Sequence, residues 1–178
     1  MGVLPTLQRA DLQLFHWFFQ LGGRGPITTL ARVFSRSGDG QLLLVVPLLM
    51  FLVGSPSVGL LFAALALGLA IERPLYWVLK NGFKRYRPAD KVPGFRSLIV
   101  PSDQFSFPSG HSSAAFLLAV TAGLIFGGLA WWLLPWATGV ALSRVVLGVH
   151  FPGDTLAGAA MGTGIAACTV SWLSVLPL

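Results

Sequence analysis

Charge is what this sequence has least of. Only 10% of its 178 residues are Asp, Glu, Lys or Arg, while 54% are hydrophobic and the mean hydropathy is +0.76. An ordinary soluble domain carries roughly 25% charged residues. So few charges cannot cover a chain with polar surface in water, which excludes an ordinary soluble domain and favours the membrane class. Acidic residues are scarcer still, six against twelve basic ones, for a formal charge of +6. There is a single cysteine, Cys168, inside an apolar run. It cannot close an intrachain disulfide and reads as packing. No secretory leader is expected, because Arg9 and Asp11 interrupt the stretch where a continuous apolar segment would lie, so the membrane segments themselves would direct insertion. There is no internal repeat and no low-complexity stretch. The basic residues lie between hydrophobic spans and carry no nucleic-acid motif. They point to anionic headgroups or anionic substrates instead.

The length suggests a single domain over 1–178. Within it, 1–38 reads as an amphipathic, interfacial part. Leu7, Leu14, Phe15, Phe18 and Phe19 fall near helical spacing with Gln8, Arg9, Asp11 and Gln13 between them, and Gly22-Gly23 ends the pattern. A second short amphipathic stretch covers 26–36. The expected fold is all-α, a polytopic helical bundle of about five to six membrane helices, since a span needs about 20 apolar residues. The expected spans are 40–54, a segment from Val58 past Leu79, two within 112–142 divided at Gly127-Gly128, and one from Pro152 to Trp172. Trp131 and Trp132 suit an interface belt. Between the second and third spans lie twenty-odd polar, Pro- and Gly-bearing residues, roughly 86–108, a long connection of the kind that is usually functional or mobile. Threading these spans brings every polar cluster to one membrane face, from three separate stretches of sequence.

The first cluster is Lys80-Asn-Gly-Phe-Lys-Arg-Tyr-Arg87-Pro88. Lys80 and Arg87 are seven apart and share a helix face. Two such cations can clamp a multiply charged anion, Arg with bidentate geometry; they can equally be a positive flank that orients a membrane helix. The second is Phe-Pro108-Ser109-Gly110-His111, directly before an apolar run. Ser109 sits where an N-cap belongs, and a helix N-terminus is a ready anion site. A plain helix start with a solvated His is the alternative. The third is Ser143-Arg144 through His150 to Asp154. Pro152 suits the first turn of a helix, and the turn can bring Asp154 back to His150. A carboxylate on one ring nitrogen would leave the other free to attack; Asp154 as a simple helix cap is the other reading. Glu72-Arg73 inside the second span reads either as a local pair or polar helix contact, or as a layer beneath the site. Lys84, Arg85, Lys91 and Arg96 read as headgroup-steering or solvated loop charge, and His16 as interfacial.

Together these residues resemble the type 2 phosphatidic acid phosphatase superfamily of membrane lipid phosphatases. That pattern is a Lys and an Arg-Pro separated by six residues, then Pro-Ser-Gly-His, then Ser-Arg followed by His and Asp. Lys80, Arg87-Pro88, Pro108 to His111, Ser143-Arg144, His150 and Asp154 match it over 80–154 without departure. The resemblance implies hydrolysis of a lipid phosphomonoester or diphosphate, with undecaprenyl diphosphate, phosphatidylglycerophosphate and phosphatidic acid as candidates. It implies His150 as nucleophile, Asp154 as its orienting partner and His111 as proton donor. Lys80, Arg87, Ser109, Gly110 and Arg144 would hold the phosphoryl oxygens. Neither metal nor cofactor is expected. The expected partners are the lipid phosphate substrate and membrane lipids, with no nucleic acid and no obligate protein. The alternatives are a lipid phosphotransferase and a non-catalytic lipid-binding protein. The same constellation binds vanadate in haloperoxidases, but those are soluble. The expected location is a bacterial inner membrane. The positive-inside rule would put the basic face in the cytoplasm, whereas the resemblance favours the periplasmic side. The 88–107 loop is a candidate lid that sets substrate choice.

Overall fold

The computed structural model describes residues 3–22 and 25–175, so Gly23 of the expected N-terminal stop lies outside the described residues. The chain is all-helical. In order come α1 (Val3–Gly22), α2 (Gly25–Ser37), α3 (Leu42–Leu52), α4 (Val58–Phe83), the one-turn α5 (Pro88–Lys91), α6 (Gly110–Phe126), a 3-10 segment (Gly128–Trp132), α7 (Leu133–Val146) and α8 (Pro152–Leu173). Among the described residues two helices, α4 with 26 residues and α8 with 22, are long and apolar enough to cross a membrane; α3 and α6 are shorter apolar helices. The long apolar stretch 112–142 breaks where the glycine pair predicts: α6 ends at Phe126 and Gly127 takes a positive φ of 59°. The helix from the 40–54 stretch has only 11 residues.

The centre of the bundle is α6, which packs most extensively on α8 and also on α7 and α4. Leu61 and Leu65 of α4, Leu117 and Leu118 of α6, and Ile165 and Ala166 of α8 form its core. The α6–α8 pair is close because α8 carries Gly158 and Gly162 against it. A Cβ at Gly158 would collide with the Ser109 carbonyl oxygen, and one at Gly162 with that of Ser113. Small residues one helical turn apart let two backbones approach where side chains would hold them off. This contact fixes the start of α6 against the start of α8. The backbone N–H of Ser109 donates to the Asp154 carbonyl at 3.0 Å.

The N-terminal helices pack on the same end. Phe15 of α1 is fully buried against Val145 and Phe151, with Phe19 and Phe95 around it. Ala31 and Ser35 of α2 are buried in the contact of α2 with α7. The long connection before α6 is tied down. Ser97 Oγ donates to the Gly148 carbonyl at 2.8 Å, and Leu98 N donates to the Leu147 carbonyl at 3.0 Å. Gly148 adopts φ 78°, and a Cβ there would lie 2.7 Å from the Phe95 ring, so this turn needs glycine for both conformation and space.

Candidate active site

Four helix ends meet at one end of the bundle: the C-termini of α4 and α7 and the N-termini of α6 and α8. They deliver Lys80, Arg144, Ser109 to His111, and Asp154, while Arg87 and His150 lie in the connections just beyond. Lys80, Arg87, Ser109, Arg144, His150 and Asp154 are all buried.

His150 sits at the turn between α7 and α8, with its backbone N–H donating to the Arg144 carbonyl at 3.3 Å. Its two ring nitrogens face different groups. Nε2 lies 3.5 Å from Arg87 Nη1, and Nδ1 lies 3.7 Å from Asp154 Oδ2. The second separation is an ion-pair distance and not a hydrogen bond, and Nδ1 has no hydrogen-bond partner among the described residues. Asp154 is held elsewhere. Its Oδ2 accepts the Phe151 N–H at 2.8 Å, which caps α8, and its Oδ1 accepts from Arg85 Nη1 at 2.7 Å. Capping and proximity to His150 are therefore both present in one carboxylate. Burial is the main cause that holds the His150 imidazole down at about 4, with Asp154 opposing and Arg87 reinforcing the effect. The ring is neutral at physiological pH.

Lys80 and Arg87 converge, but not by sharing a helix face: α4 ends at Phe83, Lys84 turns left-handed at φ 46°, and Arg87 reaches back from extended backbone before Pro88, which starts α5. They meet on a residue the sequence reading did not single out. Asp103, from the long connection, takes Lys80 Nζ on Oδ2 at 2.7 Å and Arg87 Nη2 on Oδ1. Tyr76 Oη donates to the same Oδ2 at 2.6 Å. Burial alone would raise the Asp103 carboxyl, but the bonds from Lys80, Tyr76 and Arg87 outweigh it and hold it down at about 2. Arg87 also donates to the Asp103 carbonyl at 2.9 Å and to the Val149 carbonyl at 2.5 Å, next to His150.

Ser109 caps α6 as expected: its Oγ accepts from the Ser112 N–H at 3.4 Å and from Ser112 Oγ at 3.0 Å. Gly110 lies against the Tyr76 ring, where a Cβ would come within 3.0 Å. His111 Nε2 is 2.8 Å from Asp39 Oδ1, in the turn between α2 and α3. Arg144 Nη1 donates to Ser35 Oγ of α2, while its buried Nε has no partner among the described residues.

Arg85 is neither a steering charge nor a solvated one. It bridges Asp154 and Asp11, the latter at 2.5 Å. Asp11 also accepts the Gly153 N–H at 2.7 Å, which ties α1 to the start of α8. Arg73 pairs with Glu72, the local alternative. Among the residues missed, Tyr76 carried a usable signal, since it lies one turn before Lys80. Asp11, Asp39 and Asp103 carried none, because each pairs with a partner remote in sequence.

The PAP2 superfamily model matches residues 57–176. The chain belongs to the PAP2 superfamily. Every residue of the matched motifs lies inside that stretch, whereas Asp11, Ser35 and Asp39 come from helices and turns that precede it. Among curated PAP2 relatives, decaprenylphosphoryl-5-phosphoribose phosphatase of Mycolicibacterium smegmatis is 32% identical over 142 residues, 78% of this chain and 74% of that protein. Among solved structures, Aquifex aeolicus LpxE superposes with a TM-score of 0.75 at 27% identity, over 90% of this chain and 94% of that one. A PAP2-type phosphatidylglycerolphosphate phosphatase from Bacillus subtilis gives a TM-score of 0.73 at 25% identity, over 97% and 89%.

Proposed function

We propose that this PAP2 protein is an integral membrane phosphatase that removes phosphate from an isoprenoid or glycerolipid phosphate through a phosphohistidine on His150, without a metal. The observation that carries the proposal is Lys80 and Arg87 gathered around one carboxylate beside a buried imidazole. A phosphoryl group offers the same oxygen geometry with more charge, so it replaces Asp103 on the two cations. That puts phosphorus beside His150 Nε2. The relatives' names, which refer to a prenyl-linked sugar phosphate and to phosphatidylglycerolphosphate, span both lipid classes.

His150 Nε2 attacks phosphorus and forms the P–N bond. The P–O bond to the lipid breaks, its electron pair stays on oxygen, and His111 supplies the proton. Water, giving a proton to His111, then attacks phosphorus. The P–N bond breaks and leaves inorganic phosphate and neutral His150. Asp154 holds Nδ1–H toward itself and stabilises the ring as it gains charge. Lys80, Arg87, Arg144, Ser109 and the Gly110 N–H surround the equatorial oxygens, where fixed donors do most of what phosphoryl transfer requires. In this reading the chain crosses the membrane about five to six times, with α1 and α2 at the interface, and the site opens on the periplasmic face of a bacterial inner membrane.

A panel of polyprenyl and glycerolipid phosphates tests the activity by phosphate release in detergent with EDTA present. A rapid quench with labelled substrate tests the intermediate: acid-labile, base-stable label on the wild type and none on His150→Ala is the expected result. Absence of label in both, or activity lost to EDTA and restored by a metal, overturns the mechanism. Replacing Cys168 with Ser, placing a cysteine in the 88–107 loop and labelling intact cells with an impermeant reagent tests the side.

A further inference from the structure

His111 lines two cavities. One, of about 420 Å³, runs past Leu43, Leu69 and Ala114, with Arg73, Tyr76 and Asp39 also on its wall. The other, of about 440 Å³, is walled by Arg32 and Arg36 of α2 and by Arg144, with Asp39 on its edge. Arg32 and Arg36 are four apart, so both project from one face of α2. Both are exposed, and among the described residues neither makes an ion pair. Arg32 only reaches the Leu98 carbonyl at 3.4 Å. Arg144, nearly fully buried, lines the same cavity with its Nε unpartnered among the described residues. Three guanidiniums therefore face one carboxylate, and that carboxylate is already engaged by His111.

The group that departs past His111 must fit both cavities. An uncharged lipid alcohol can lie along Leu43, Leu69 and Ala114 of the first cavity, but it leaves Arg32 and Arg36 without an ion-pair partner among the described residues. A leaving group that is itself a phosphate on an apolar chain satisfies both. We infer that Arg32 and Arg36 form a second anion subsite beside Arg144, one that binds a phosphate carried by the leaving group, so that this enzyme selects lipids bearing a second phosphate beside the scissile one. This rests on the phosphatase reading and deepens it. The two arginines lie on α2, before the stretch 57–176 that carries the superfamily pattern, so the shared chemistry and the selectivity come from different parts of the chain. In the step above, the oxygen that His111 protonates then belongs to a lipid phosphate when the substrate is a diphosphate, and the bonds made and broken are otherwise the same.

The test compares matched pairs on the wild type and on the Arg32→Ala/Arg36→Ala variant. The pairs are farnesyl diphosphate against farnesyl monophosphate, and phosphatidylglycerophosphate against phosphatidic acid. The wild type is expected to favour the member with the second phosphate at least tenfold in kcat/KM in one pair, and the double variant to cut that ratio at least tenfold. A change confined to the first pair assigns the subsite to a directly joined phosphate, and one confined to the second assigns it to a headgroup phosphate. An unchanged ratio, whether both members fall together or neither does, overturns the subsite and leaves the arginines as general contacts with an anionic surface. A second readout needs no turnover. Inorganic pyrophosphate should raise the thermal transition of the purified wild type more than orthophosphate does, and the double variant should lose that difference. Should the wild type release phosphate from none of the four lipids, the phosphatase reading fails and the pyrophosphate comparison alone decides the subsite; equal shifts by the two anions would overturn it.

Discussion

Removing the charge of Asp103 should make the site bind phosphate more tightly. The Asp103 carboxylate occupies Lys80 and Arg87, so an incoming phosphoryl group has to displace it. Its hold can be sized from its acidity. Depression from 3.8 to about 2 corresponds to about 2.5 kcal/mol at full strength. The side chain is 35% exposed, and solvent screening reduces such a figure to about 1 kcal/mol, or about fivefold in a binding constant. Asp103→Asn keeps the size of the side chain and removes the charge. The expected result is a drop of about fivefold in the inhibition constant of inorganic phosphate, measured by competition against a lipid phosphate in detergent. The KM should fall in parallel. Because Asp103 stays ionised well below neutral pH, the gap between variant and wild type should be constant from about pH 5 to 8. An inhibition constant that is unchanged or higher in the variant would refute the reasoning. It would mean that Asp103 braces Lys80 and Arg87 in position and does not compete for them.

Loss of the proposed nucleophile or proton donor should be far more severe: His150→Ala and His111→Ala are each expected to lower kcat by at least about a hundredfold in a phosphate-release assay, with His150→Ala the lower of the two. The acid limb of kcat/KM should report His150. With its folded value near 4, the imidazole is neutral and competent above that pH and is lost as pH falls through it, so substantial activity should persist at pH 5; a midpoint near the ordinary 6.5 would contradict the buried environment. Gly162→Ala drives a Cβ into the Ser113 carbonyl and should cost about 2 kcal/mol, seen as a thermal transition lower by about 5 °C, whereas Gly164→Ala, with open space around it, should be neutral. Arg85→Ala removes the partner of Asp154 Oδ1 and of Asp11, and is expected to lower kcat while leaving KM within about twofold, because Arg85 touches the positioning carboxylate and not the phosphate.

How much of the site could be read in advance follows from distance along the chain. The Ser109 cap, the glycine break before the 3-10 segment and the Asp154 position in the first turn of α8 are all set within about two helical turns. Residues that close act through backbone geometry, which spacing encodes directly. The same rule explains the adjusted contact between Asp154 and His150. Spacing could place Asp154 near His150, but it could not show that Arg85 and the Phe151 N–H would claim its oxygens and leave the imidazole at 3.7 Å.

From its residues alone the chain reads as a helical membrane protein carrying the three ordered motifs of the PAP2 pattern, because hydropathy and motif spacing require no knowledge of what packs against what. Only the tertiary structure decided which carboxylate meets which cation: Asp103 on Lys80 and Arg87, Asp39 on His111 and Asp11 on Arg85. The last two pairs are more than seventy positions apart, and they meet because Gly158 and Gly162 bring α8 onto α6 while α1 and α2 close over the same end. An acidic side chain carries no mark of its distant partner until packing has brought the two together.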